Sequence, residues 1–176
     1  RVFNYIFLFS LRMSPTAHLI QGAAGAAILY PFIGGKAFIF GVSVVAIDLD
    51  HFVEYYRDTL SIDLKGFFEY HNILSNNLDN YLGLNLFHTI ECYIILFFAG
   101  LILPDLHLIL YGFLFHHLFD QIKLTWMKRP FARAFSIIEY FIRRKHYYTS
   151  LRELLAKKKK KSRCEARFFK MITEDI

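Results

Sequence analysis

Four apolar stretches fill most of the sequence between Pro15 and Leu124, and each carries, toward one end, imidazoles or carboxylates that are costly to bury. The stretch from Leu106 to Leu124, LHLILYGFLFHHLFDQIKL, shows the pattern best, because His116, His117 and Asp120 interrupt an otherwise apolar segment. A chain of this kind has few folded solutions. It must pack the apolar runs as helices, and it must give each inward ionisable group a partner or an ion. The 176 residues are 55% hydrophobic and 20% charged, against roughly 45–50% and 25% for soluble domains. The excess lies in the long runs, which points to a membrane.

Ser14-Pro15 reads as a helix start, with Ser as cap and Pro at the first helical position. An apolar helix follows to about Tyr30, where Pro31 and Gly34-Gly35 break it, and a second apolar stretch runs to Asp50. Together they predict a helical hairpin turning near Gly34. Residues 52–83 are polar and aromatic, and read as a loop with one or two short helices at an interface. A second hairpin is predicted from Leu84–Leu103 and Leu106–Leu124, with Pro104-Asp105 at its turn. The runs span about 16–20 residues where a bilayer needs ~20.

The fold class is therefore all-α: a multi-pass membrane bundle of two antiparallel hairpins plus a C-terminal amphipathic helix over about 131–148. Three segments result, an N-terminal extension or clipped segment 1–13, a metal-binding helical core 14–130, and an amphipathic helix with basic tail 131–176. A buried soluble bundle is the alternative. The opening RVFNYIFLFSLR is too short to span a bilayer, and Met13 is a candidate start.

From Lys128 to Lys170 the chain carries fifteen Lys/Arg against Glu139, Glu153 and Glu165, including the run Lys157–Lys161. No nucleic-acid-binding motif accompanies this charge, so a flank facing anionic lipid is the better reading. Arg12, Arg57, Lys65, Lys123, Lys128, Arg129 and Arg133 gather at the end of the hairpins opposite the turns. The positive-inside tendency then puts that end and the C-terminus in the cytoplasm. Cys92 and Cys164 are too far apart for a CxxC site and read as ordinary thiols.

Residues equidistant from a hairpin turn lie at one height. On that rule His18 faces Asp50 across the first turn, His88 faces Asp120 across the second, and Glu91 is level with His116. Both sets lie 16 positions from their turns, about 24 Å at ~1.5 Å per residue. Stacked hairpins would draw His18, Asp48, Asp50, His51, His88, Glu91, His116 and Asp120 toward one layer. His88 and Glu91 (i, i+3) and His116 and Asp120 (i, i+4) share helix faces. Inward imidazoles and carboxylates are how helical bundles hold paired metal ions, and this donor set suits zinc, iron or manganese. His71 and His117 are lesser candidates, whereas His107 and His146 read as ordinary packed histidines.

MSPTAH near the start, AIDLDH after the second run, FHT opening the third and HHLFD in the fourth resemble the bacterial membrane-bound metal-dependent hydrolases. That family includes LexA-regulated inner-membrane members and is remotely similar to zinc-dependent phospholipase C. The resemblance covers residue 13 to about 125 and picks out His18, Asp48, Asp50, His51, His88, His116 and Asp120. Ala46-Ile47 stands before Asp48 where the family commonly has Pro-Asp, and Thr89 replaces its usual Ser. The resemblance implies a hydrolase in the bacterial inner membrane.

The expected activity is hydrolysis of a phosphate ester or lipid-linked substrate at a dinuclear His/carboxylate site, with Asp48 or Glu91 as general base or bridging group. Arg57 and Lys65 are candidate phosphate contacts. A membrane metal-binding protein or transporter without hydrolytic activity is the competing reading, and a structural membrane protein whose histidines only hydrogen-bond is the third.

Overall fold

The structure, a computed structural model, describes residues 15–75 and 81–150. The expected N-terminal segment, the Ser14 cap and the lysine run lie outside the described residues. Helix α1 (Pro15–Ile33) is followed by a 3-10 turn (Gly34–Lys36), α2 (Ala37–Ala46), α3 (Leu49–Thr59) and α4 (Leu64–Ser75). A second 3-10 turn (Leu86–His88) precedes α5 (Ile90–Gly100), α6 (Asp105–Trp126) and α7 (Ile137–Arg143). The chain is all-α: among the described residues the only β pairing is two isolated bridges, Tyr81 with Tyr148 and Gly83 with Arg133. Pro31 sits inside α1 without ending it, and the helix stops at Ile33, before Gly34, whose φ of 58° lies in the left-handed region that favours glycine.

The helices divide between two compact units. Unit 1 holds α1, α2, α5 and α6, and unit 2 holds α3, α4, residues 81–89 and the segment containing α7. In unit 1, α1 packs on α2, α2 on α6, and α5 on α6. Glycines set the spacing: a Cβ on Gly22 would lie 2.5 Å from the Gly41 carbonyl oxygen, and one on Gly112 would collide with Ser43 Oγ. Lys36, in the first hairpin's turn, is ion-paired with Asp105 at the start of α6, so both turns share one end of this unit. Ile47, Tyr93, Leu110 and Phe113 form its core, while Ile20, Phe32, Val42, Ile95 and Ile102 are exposed.

In unit 2, Tyr55, Tyr70, Ile73, Leu74 and Tyr81 form one core, and Leu82, Ala134 and Tyr140 another. The segment read as a loop with one or two short helices contains two, α3 and α4. The expected helix over 131–148 is only the seven residues of α7. Ser136 caps it by accepting from the Ile138 and Glu139 amides. The carbonyls of Phe131 and Arg133 accept from the Arg143 guanidinium, which keeps those residues out of the helix.

Among the described residues one helical run, Thr16–Thr59, is long and apolar enough to cross a membrane by length and composition, and α5 is apolar but shorter, at 11 residues.

Candidate metal centre

The break between α2 and α3 builds the site in unit 1. Helix α2 ends at Ala46, and the Asp48 amide bonds back to the Val45 carbonyl rather than to Val44. Val44 thereby loses its helical donor, and its carbonyl takes the Nδ1–H of His116 at 2.8 Å. A carbonyl can only accept, so His116 carries a proton on Nδ1 and turns Nε2 away from Val44. One turn into α1, His18 Nδ1 bonds Gln21 Oε1 at 3.0 Å, which fixes its tautomer the same way.

Both Nε2 atoms then face the same two carboxylates. His116 Nε2 lies 3.4 Å from Asp48 Oδ1 and 3.5 Å from Asp120 Oδ2. His18 Nε2 lies 3.8 Å from Asp48 and 3.8 Å from Asp120, and the two rings stack with centroids 4.1 Å apart. These separations exceed the ~2.7–2.9 Å of a charge-assisted hydrogen bond. They are close to the edge of a tetrahedron, about 3.3 Å, around an ion with ~2.0–2.1 Å bonds to nitrogen and oxygen. Asp120 is buried and Asp48 only partly so, and a divalent cation between the imidazoles and these carboxylates would compensate their charge. Ligand atoms of His18, His116 and Asp120, all buried, lie within 4.8 Å of one another and could hold a metal ion. The Asp48 side chain is 29% exposed and forms the open side.

Unit 2 holds a second group, arranged differently. Asp50 Oδ2 accepts from the Phe87 amide at 2.9 Å and from His88 Nδ1 at 3.1 Å. Its other oxygen, Oδ1, is buried with no hydrogen-bond partner among the described residues. Asp50 thus orients His88, as carboxylates do behind metal-bound histidines. Burial outweighs the pull of Asp50 and pushes the His88 imidazole down to about 4, so it is neutral at pH 7. The His51 ring lies 5.4 Å from that of His88 and 5.0 Å from that of His71, and its Nε2 is 3.5 Å from Asn85 Nδ2.

The eight predicted site residues are therefore distributed. His18, Asp48, His116 and Asp120 converge in unit 1, and Asp50, His51 and His88 cluster in unit 2 with His71 alongside. The carboxylate beside His18 is Asp48, two positions before the expected Asp50, and Asp50 belongs to His88. Glu91, in the first turn of α5, is not part of the group whose ligand atoms gather around His116. His117 packs edge-on to Tyr93, and His107 lies between the Phe97 and Tyr111 rings. Compared with known proteins, the chain matches no family model, no curated protein and no solved structure.

Several participants escaped sequence reasoning. Gln21 and the Val44 carbonyl orient the two histidines of unit 1; the i, i+3 spacing of Gln21 from His18 was the available signal. In α3 the acids Asp50, Glu54 and Asp58 form a buried stripe at four-residue spacing. Tyr81 donates to Glu54 at 2.6 Å and Tyr70 to Asp58 at 3.0 Å, and burial beside these acids drives both phenols upward. Arg57, expected as a phosphate contact, is instead engaged by Asp58 and the Thr149 carbonyl. Lys65 is exposed.

Proposed function

We propose that the chain is a metal-dependent hydrolase of the bacterial inner membrane, with its principal ion held by His18, His116 and Asp120 and with Asp48 at the open side. One observation carries the reading: two imidazoles with Nδ1 already committed aim Nε2 at two carboxylates 3.4–3.8 Å away. Two imidazole nitrogens and a carboxylate oxygen favour zinc, with iron and manganese as the other candidates. A second ion, in unit 2, would be held by His51 and His88, with Asp50 orienting His88.

A divalent ion held there would supply the Lewis acidity that hydrolysis of a phosphate ester needs. Asp48, at the open side, would serve as the general base. Buried Asp120 compensates charge, and Gln21 and Val44 hold the imidazoles in the tautomer that leaves Nε2 available. The short motifs shared with membrane-bound metal-dependent hydrolases support the same chemistry, and an amphipathic, lipid-linked ester fits a site at the end of apolar helices. The exposed aliphatic and aromatic side chains on α1, α2 and α5 support the reading of two hairpins crossing the bilayer. The basic flank supports a cytoplasmic C-terminus.

Elemental analysis of purified protein should find metal in whole-number stoichiometry, reduced in His116→Ala and in Asp120→Ala. Unchanged metal in both variants would remove the assignment. A phosphodiester and phosphomonoester screen should then show activity that Asp48→Asn abolishes. Bound metal with no such activity would leave the non-hydrolytic metal-binding reading in possession.

A further inference from the structure

Unit 2 wears its polarity inside out. In α3 the acids are buried, while Leu49, Val53 and Tyr56 are exposed. Helix α7 repeats this more sharply. Tyr140 turns inward onto Leu82 and Ala134, and Glu139 is occupied by Arg143 and the Phe135 amide. The opposite face presents Ile138, Phe141 and Ile142, at i, i+3 and i+4 spacing and each more than half exposed. Cations rim that face. Arg144 and Lys145 are exposed, the Arg144 guanidinium lying 4.8 Å over the Phe141 ring, and the sequence continues to the five lysines Lys157–Lys161. An outward aliphatic face bordered by Lys and Arg suits neither water nor an acidic groove alone. It suits the boundary between acyl chains and anionic headgroups, where the apolar face sinks and the cations meet phosphate.

We propose that α7 is an interfacial docking helix that seats on an anionic phospholipid surface, with Ile138, Phe141 and Ile142 entering the acyl boundary and Arg144 and Lys145 pairing with headgroup phosphates. The inference rests on the membrane reading above and adds to it a lipid class and the residues that select it. It also gives the hydrolase reading a physical corollary: a chain tethered at the lipid boundary meets amphipathic esters at high local concentration.

The test uses the full chain with Cys92→Ser and Cys164→Ser, spin-labelled at Ile142→Cys and reconstituted in phosphatidylcholine vesicles with or without phosphatidylglycerol. With phosphatidylglycerol present, the label should be shielded from a water-soluble nickel relaxant and accessible to oxygen. The double variant Arg144→Gln/Lys145→Gln should lower the ratio of docked to free label about 25-fold, since each cation near an anionic surface contributes about a five-fold factor. Equal water access with and without phosphatidylglycerol overturns the proposal. So does shielding that is unaffected by lipid charge or that disappears on dilution of the protein in the membrane, since the latter marks a second copy as the occupant. A label at Ile95→Cys on α5 reports separately on the spanning reading, and metal content of the same preparations reports separately on the site.

Discussion

The two histidine groups use the same residue types to opposite effect. In unit 1 the Nδ1 atoms are held by neutral carbonyl oxygens, Gln21 Oε1 and Val44 O, and the carboxylates stand on the Nε2 side, where an ion would sit. In unit 2 the carboxylate of Asp50 stands on the Nδ1 side of His88, where it orients the ring. Which nitrogen a carboxylate meets decides whether it behaves as a ligand or as a positioning group. Counting histidines and acids at one depth does not make this distinction; the hydrogen-bond directions do.

The strongest way to break the comparison is to remove a nitrogen from each group in turn. His116→Ala should lower metal affinity more than 100-fold, beyond the ~10–100-fold typical of outer-shell changes. Isothermal titration with zinc after chelation checks it. Asp120→Ala should do the same, because it also leaves His18 and His116 facing a single carboxylate. If His116→Ala titrates like the parent chain, unit 1 is not the tighter site.

The unit 1 group was legible in the sequence because apolar runs and turn residues fix hairpin register. His18, Asp48, His116 and Asp120 lie on long, regular helices or at the end of one. The two-residue shift from Asp50 to Asp48 arises where α2 stops at Ala46 and the chain turns through Ile47 and Asp48, a detail that height arithmetic ignores. For His88 the arithmetic did not apply. It lies in a 3-10 turn flanked by extended Asn85 and Thr89, not inside a helix starting at Leu84. The stripe Asp50, Glu54 and Asp58 was hidden for another reason: a polar face has the same period whether it points to water or to a buried tyrosine. Only the partners Tyr70, Tyr81 and His88, distant in sequence, decide which.

The next effect separates the groups by pH. In chelator-treated protein His88 titrates at about 4, against 6.5 when unfolded. Between those values the unfolded chain binds the extra proton, so stability rises with pH across that window. The contribution, about 3 kcal/mol, is present above pH 6.5 and is lost as pH falls through 4. Thermal melts should show it, and His88→Gln should flatten the dependence. A slope unchanged in that variant would assign the effect elsewhere.

Asp50→Ala should cost about 2 kcal/mol, since it strips the acceptor from the buried His88 Nδ1–H and from the Phe87 amide. Asp50→Asn should recover most of that stability, because an amide oxygen can still accept from the ring. If Asp50 is instead a direct ligand, Asn will fail to restore metal binding as completely as Ala does, and denaturation and zinc titration will disagree about the pair.

The smallest expected effect is the sharpest probe of unit 1. Gln21→Ala removes no charge and no ligand, only the acceptor that keeps the His18 proton on Nδ1. Zinc affinity should fall about 10-fold, the low end for a lost orienting partner. Gln21→Glu should hold or tighten binding, because a carboxylate behind an imidazole makes Nε2 more basic. NMR of the ring nitrogens should find His18 shared between tautomers in the Ala variant and His116, held by Val44, unchanged. A Gln21→Ala protein that binds zinc normally while His18 stays in one tautomer would mean the ring is fixed by packing against His116, and the orienting role would pass from the amide to the stack.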